Sequence, residues 1–304
     1  MNFTADSKVL VQGILEPLSL IHTPLMQSYG TQIVGGISPG HGGEQHQGIP
    51  IFDLVEEALD TVGGVDITIL FVQPYMALDA ALEAIAAGIR QIVIVTAGIP
   101  PLDMVKLSRK ADTTQTLVIG PNSPGVIIPG HMLVGTHPAN CYRPGPIGLL
   151  SRSGTLTYEI ALGLTRAGLG ESAAVSIGSA PVVGSSFQQW LHWFDANDQT
   201  DVILLAGKIG TGGEELAAQY IADVIQKPVV AYIAGHNVPY DPPLGHAQAI
   251  TMSRLTDLGG DRGTAASKVA AFREAGVLVA DRLVDIPRLV KKELKRYGKP
   301  VHLR

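Results

Sequence analysis

The chain has 304 residues, 46% hydrophobic and only 5% aromatic, with 35 glycines and a formal net charge of −5. That is enough apolar mass for one large or two medium α/β domains with aliphatic cores, and the mild negative charge, with no basic stripe through the body, excludes nucleic acid as the main partner. A single cysteine, Cys141, excludes an internal disulfide and fits a reducing compartment, while charges such as Glu83 and Arg90 interrupt every apolar run short of membrane-spanning length.

The opening Met-Asn-Phe-Thr-Ala-Asp-Ser has no basic stretch followed by an apolar one, so a cytoplasmic protein without a secretory signal is expected. Lys8-Val-Leu-Val-Gln-Gly13 predicts a buried parallel strand that closes on glycine. Many nucleotide-binding domains then carry a glycine-rich turn; here Ile14-Leu-Glu-Pro-Leu-Ser-Leu20 follows. Pro17 suits the first position of a helix running through Tyr29, and Glu16 sits beside its positive end. A capped helix with no ligand phosphate satisfies this pattern as well as an anion site does. No Gly-x-Gly-x-x-Gly follows the first strand, which argues against a nicotinamide dehydrogenase.

A second strand is expected over 31–35, then a loop over 37–43 dense in glycine and proline, which carries His41. Helical spacing runs over 51–59 and 77–87, with strands over 66–72, 91–96 and 116–120. The turn after the 91–96 strand, through Val95, Thr96 and Ala97, lies at a carboxyl end, where open α/β sheets bind ligands. Asn122 follows the 116–120 strand and can both donate and accept hydrogen bonds. The β-α-β order predicts a parallel, doubly wound, Rossmann-like domain over 1–126. Residues 127–146, rich in proline and glycine, read as a linker, and 147–304 repeats the α/β rhythm as a second, flavodoxin-like domain.

In that second part, an apolar run ends at Leu150 and Ser151-Arg-Ser-Gly-Thr-Leu-Thr-Tyr-Glu159 leads into a helical pattern. This is a strand, a tight turn at Ser153, Gly154 and Thr155, and a helix start whose free N–H groups and dipole favour an anion. Further on, Pro243-Leu-Gly-His-Ala-Gln-Ala-Ile250 sets His246 among small residues, where an imidazole can be presented rather than packed; a plain surface or core histidine is the bland alternative.

With Gly120-Pro-Asn-Ser-Pro-Gly-Val126, these two stretches resemble the α-chain family of succinate–CoA ligase, over nearly the whole chain. The resemblance implies an acyl-CoA ligase subunit in which His246 carries a phosphoryl group, cradled by Ser153, Gly154 and Thr155, with Tyr158 near the organic acid. It implies coenzyme A contacts at Gly13, Leu15, Glu16, Pro17, Leu18, His41, Val95, Thr96, Ala97 and Asn122. It further implies a β subunit of ATP-grasp type holding ATP or GTP with Mg2+, a small dicarboxylic acid substrate, and no role for membranes or nucleic acid.

Several positions depart from the family pattern. Glu16 stands in a loop that is usually rich in glycine, serine and threonine, His41 replaces a lysine, and Ala97 replaces an acidic residue. Lys208 replaces a glutamate that orients the imidazole; a lysine cannot accept the ring N–H but can hold a phosphoryl group, unless it simply points into solvent. A divergent, non-catalytic homologue that binds coenzyme A or a partner chain is the alternative these departures support.

Overall fold

The computed structural model describes residues 3–236 and 263–297. Two compact units emerge, one of Met1–Ala139 with Ser176–Ser185, the other of Asn140–Val175 with Ser186–Arg304.

The first unit is built on strands β1 (Lys8–Gln12), β2 (Gln32–Ile37), β3 (Gln45–His46), β4 (Ile49–Phe52), β5 (Ile67–Leu70), β6 (Gln91–Ile94) and β7 (Leu117–Ile119). Their order across the sheet is β3-β4-β2-β1-β5-β6-β7. All neighbours run parallel except the β3–β4 hairpin. Helices α1 (Pro17–Ser28), α2 (Val55–Val62), α3 (Ala77–Ala86) and α4 (Pro101–Thr114) make the connections. Strands such as β1 and β5 are apolar on both faces because a doubly wound sheet is covered on both, and Val9, Leu10, Val11, Ile67 and Ile69 have no exposed surface.

The expected helix over 51–59 is corrected: Ile51 and Phe52 end β4, and α2 starts only at Val55. Ile51, Val55 and Leu59 share a four-residue spacing that imitates a helix. The two-residue turn that pairs β3 with β4 holds Gln47 and Gly48 at φ 50° and 81°, the left-handed geometry that suits a tight hairpin.

Within the stretch read as a linker, β8 (Gly125–Ile128) and β9 (Met132–Gly135) form an antiparallel hairpin that belongs to the first unit. The Thr31 hydroxyl donates to the Leu133 carbonyl at 2.6 Å and accepts its N–H at 3.1 Å, tying that hairpin to the end of α1. Gly125 (φ +87°) and Gly135 (φ +140°) face each other so closely that a Cβ at Gly135 would lie 1.9 Å from the Pro124 carbonyl oxygen.

The second unit has strands β10 (Pro144–Ser151), β11 (Glu171–Ser176), β12 (Val202–Lys208), β13 (Val229–Ala234) and β14 (Leu278–Ala280), in the order β14-β13-β12-β10-β11. Helices α5 (Gly154–Arg166), α6 (Phe187–Ala196), α7 (Gly213–Val224), α8 (Ala265–Glu274) and α9 (Ile286–Tyr297) complete it. On α6, Trp190 and Phe194 are fully buried, as their helical spacing predicts, and Ser186 caps the helix by accepting the Gln189 N–H at 3.3 Å. On α9, Ile286, Val290 and Leu294 are buried while Lys291, Lys292 and Lys295 are exposed, the solvated basic face expected of an amphipathic last helix. Among the described residues no helix is long and apolar enough to cross a membrane.

Candidate active site

In each unit the strand order reverses once, between β1 and β5 and between β10 and β12. At such a point the outgoing connections part to opposite sides, so the carboxyl ends of the two strands flank a crevice.

The first crevice holds a pocket of about 230 Å³. Its walls are Glu16, Pro17 and Leu18 at the start of α1, residues 71–74 after β5, and Thr96 and Ala97 after β6. Gly13 turns the chain out of β1 at φ +76°, and a Cβ there would lie 2.9 Å from the Val72 backbone nitrogen. The Thr96 hydroxyl donates to the Val72 carbonyl at 2.7 Å, fixing one wall, and the Asn122 N–H donates to the Thr96 carbonyl at 2.9 Å. Leu15 and Val95 lie in the same turns as pocket residues but, with Gly13 and Asn122, do not line the cavity.

Glu16 occupies the N-cap of α1, where its backbone carbonyl accepts the Leu20 N–H at 3.0 Å, but its carboxylate caps no helix N–H and takes the Gln73 amide at 2.7 Å instead. The structure thus sets one negative group at the positive end of α1, facing the pocket. Proline and aliphatic walls suit an uncharged chain, whereas a diphosphate at the α1 terminus would meet the Glu16 carboxylate. His41 is not part of the cavity: it is exposed on the loop after β2, with its Nδ1 3.2 Å from the Glu44 carboxylate. The amides of that loop are also engaged internally, because Asp53 Oδ1 accepts the N–H of Gly40 at 2.6 Å and of Gly42 at 2.9 Å.

In the second crevice, β10 and β12 run side by side with Ser151 opposite Ala206. Ser151 folds the turn by accepting the Ser153 N–H at 3.0 Å and donating to the Ser153 carbonyl at 3.1 Å. Ser153 is the N-cap of α5, and Gly154 and Thr155 open the helix with their N–H groups directed outward. Tyr158, on the next turn, is half-buried. Lys208 ends β12, so the neighbouring strand brings it to the same edge as the 153–155 turn. It is half-buried, and its ammonium is pushed down to about 8, first by burial, then by the Arg152 charge, with Glu214 opposing and Lys268 adding to the effect. His246 lies outside the described residues.

Arg152, Thr211, Glu214 and Lys268 complete this edge. Arg152, almost fully buried, donates from Nη1 to the Thr211 hydroxyl at 2.9 Å, and burial lowers its pKa while Glu214 raises it. Glu214 and Lys268, both with no exposed surface, form an ion pair beneath the turn. A sequence signal for that pair exists: Glu214 shares its helix face with Ala217, Ala218 and Ile221, and Lys268 shares its own with Ala265, Val269 and Phe272. Opposite charges on two apolar faces mark partners. Among the described residues, no group of three or more His, Cys, Asp or Glu side chains is gathered to hold a metal ion.

A CoA-binding domain model matches residues 4–98 and a CoA-ligase model matches 150–278. Fold and crevices therefore define a two-part CoA-ligase architecture, Rossmann-like then flavodoxin-like. A succinate–CoA ligase [ADP-forming] subunit alpha 1 of Archaeoglobus fulgidus is 42% identical over 290 residues, 95% of this chain and 97% of the relative. The corresponding alpha subunit of Aquifex aeolicus is 43% identical over 292 residues, covering 95% and 93%. The chain belongs to the succinate–CoA ligase α-subunit family.

Among solved structures, Methanosaeta concilii ATP citrate lyase (D541A mutant) in complex with (3S)-citryl-CoA superposes with a TM-score of 0.86 at 23% identity, covering 97% of this chain. A dinucleotide-forming acetyl-coenzyme A synthetase of Ca. Korarchaeum cryptofilum gives 0.72 at 22% identity, covering 92% of this chain. The chain spans 51% and 59% of those two proteins, and the likeness is one of fold. With curated relatives that are named as ligase subunits along almost their full length, the non-catalytic alternative is not favoured.

Proposed function

We propose that this chain is the α subunit of a nucleoside-diphosphate-forming acid–CoA ligase, acting on a small dicarboxylic acid in the cytoplasm. Residues 1–126 form the coenzyme A domain and 147–304 the ligase domain, on either side of a linker over 127–146. A β subunit of ATP-grasp type supplies ATP or GTP and Mg2+. His246 takes the phosphoryl group from an acyl phosphate and passes it to the nucleoside diphosphate, or runs the reverse. An imidazole suits this work because it is nucleophilic near neutrality and its bond to phosphorus is labile enough to transfer both ways. Ser153, Gly154 and Thr155 hold the negative phosphoryl group with backbone N–H groups and the α5 dipole. Tyr158 contacts the acid, and Lys208 sets how long the phosphoryl group stays. Coenzyme A lies along Gly13, Leu15, Glu16, Pro17, Leu18, Val95, Thr96, Ala97 and Asn122, with His41 at its outer end.

The observation that carries this reading is the reversal between β10 and β12, which puts the start of α5 and a lysine at one crevice in a chain of this family. The test is incubation with ATP or GTP, Mg2+ and the β partner. An acid-labile, base-stable phosphate should form on His246 and be absent in His246→Asn. Full ligase activity in His246→Asn refutes the mechanism.

A further inference from the structure

The Glu214–Lys268 pair grips the backbone of one turn from both sides. Lys268 Nζ donates to the Lys208 carbonyl at 2.9 Å, to the Thr211 carbonyl at 2.6 Å and to Glu214 Oε2. The other carboxylate oxygen, Glu214 Oε1, accepts the Lys208 N–H at 3.1 Å. Both backbone polar groups of Lys208 therefore end on the pair. Thr211, the next residue gripped, receives the Arg152 guanidinium through its hydroxyl. Glu215 holds the start of α8, accepting the Gly263 N–H at 2.7 Å and the Ser267 hydroxyl at 3.1 Å. The pair has no surface contact of its own, and it passes its geometry upward to two cations at the edge that carries the 153–155 turn.

We propose that Glu214 and Lys268 are positioning residues of phosphoryl transfer: by clamping the turn between β12 and α7 they fix where Lys208 and Arg152 stand. The proposal rests on the phosphohistidine reading of this crevice. It differs from a purely structural role in one respect. A buried ion pair contributes little net stability, since desolvation of both charges offsets their attraction, and a well-packed apolar pair in its place is often neutral or stabilising. The charges themselves add little, so positioning is read from the phosphorylation rate and the Lys208 titration rather than from stability. Among the described residues, the charges that act on Lys208 are Arg152 after β10, Glu214 from α7 and Lys268 from α8, so a displaced Lys208 changes its proton affinity.

The experiment uses the full chain with its β partner. The double variant Glu214→Met/Lys268→Met also leaves the Lys208 N–H and the Lys208 and Thr211 carbonyls without these partners, so its melting temperature should fall; where it stays folded it should take phosphate from ATP–Mg2+ at least about tenfold more slowly, a loss of about 1.4 kcal/mol in transition-state stabilisation. Separately, the pH dependence of Lys208 acetylation by acetic anhydride, read by peptide mass with exposed Lys291 as internal reference, gives the Lys208 titration midpoint. Glu214→Gln removes a raising charge and should lower that midpoint by about one pH unit, with Lys291 unmoved. A folded double variant that is phosphorylated at the wild-type rate overturns the proposal. So does an unchanged Lys208 midpoint in Glu214→Gln, and that measurement decides alone if the double variant does not fold. A shifted midpoint in a protein whose wild type takes no phosphate supports the clamp and refutes the phosphohistidine reading.

Discussion

Two carboxylates stand where backbone amides of glycine turns would otherwise face a ligand: Glu16 at the start of α1, and Asp53 across the loop after β2. Each satisfies its local chain and leaves less free positive potential for a diphosphate. For Glu16 the consequence is measurable. The carboxylate lines the pocket and is half-buried, so solvent damps its repulsion of an anion only in part. Glu16→Ser keeps an N-cap oxygen and removes the charge, and should tighten coenzyme A binding about tenfold by calorimetry; weaker binding in that variant would mean that Glu16 contributes to the site. Lys208 is the second decisive residue. If its ammonium reaches the phosphoryl group, charge-assisted hydrogen bonding adds about 1.5–3 kcal/mol to the phosphorylated state. Lys208→Glu should then shorten the lifetime of the phosphate on His246 and raise ligase turnover. Because burial brings Lys208 down to about 8, the wild-type lifetime should also fall as pH rises through that value, whereas Lys208→Arg should hold its phosphate across the range. A lifetime independent of pH in both proteins counts against the contact. Lys208 and the 153–155 turn were legible from sequence as positions in a motif. Arg152 stood in that same motif, but nothing local announces that its guanidinium turns inward to Thr211.

At the scale of elements, what was legible follows from how strongly a segment repeats its own period. The runs of β1, β5 and β6 are apolar on both faces because helices cover both, and they read as strands without ambiguity. β4 did not, because Pro50 and Phe52 flank Ile51 and hide the alternation, and the pairing of β3 depends on a two-residue turn rather than on its own side chains. Helix α4 is masked differently: Met104, Leu107 and Ala111 form its buried face, but Lys106, Arg109 and Lys110 dominate the composition. One packing contact is sharp enough for a test. A Cβ at Gly148 in β10 would lie 2.4 Å from Phe194 Cδ1 of α6, a ring with no exposed surface and no room to retreat. Gly148→Ala should cost about 1–3 kcal/mol in urea unfolding of the second unit, and a neutral result would mean that α6 sits less tightly on the sheet. The division of the chain gives another test. Within the proposed linker, Met132, Leu133 and Val134 are buried in β9, while Asn140, Arg143 and Pro144 are exposed. Limited proteolysis should therefore nick at 140–144 before any site in 127–135; first cuts inside β9 would argue against this pairing.

At the scale of the whole molecule, two buried titratable groups, one in each compact unit, set opposite slopes of stability against pH. In the first unit His137, 3% exposed, has its imidazole Nε2 3.1 Å from the Gly125 carbonyl oxygen, and burial lowers its pKa to about 4. Between that value and the unfolded 6.5, the unfolded state binds more protons, so stability rises with pH and is complete above about 6.5. In the second unit Glu171, 1% exposed, has its carboxyl raised to about 8 by burial, partly offset by the Arg143 N–H. Here the folded state holds the proton more tightly than the unfolded chain, whose value is 4.5, so stability is lost as pH climbs from about 4.5 towards 8. Where only one of the two states is protonated, each slope approaches about 1.4 kcal/mol per pH unit. Because the groups lie in different units, a single melting curve mixes them; native-state hydrogen exchange, corrected for the intrinsic pH dependence of amide rates, reads each unit by its own core strands. Amides of β1 and β5 should lose protection on acidification below 6.5, and amides of β10 and β12 should lose it on going from pH 6 to 8. Glu171→Gln should flatten the second trend and leave the first intact, while His137→Gln should do the reverse. Parallel behaviour of both sets of strands in every variant would show that the two units open together, and the separate linkage argued from His137 and Glu171 would then fail.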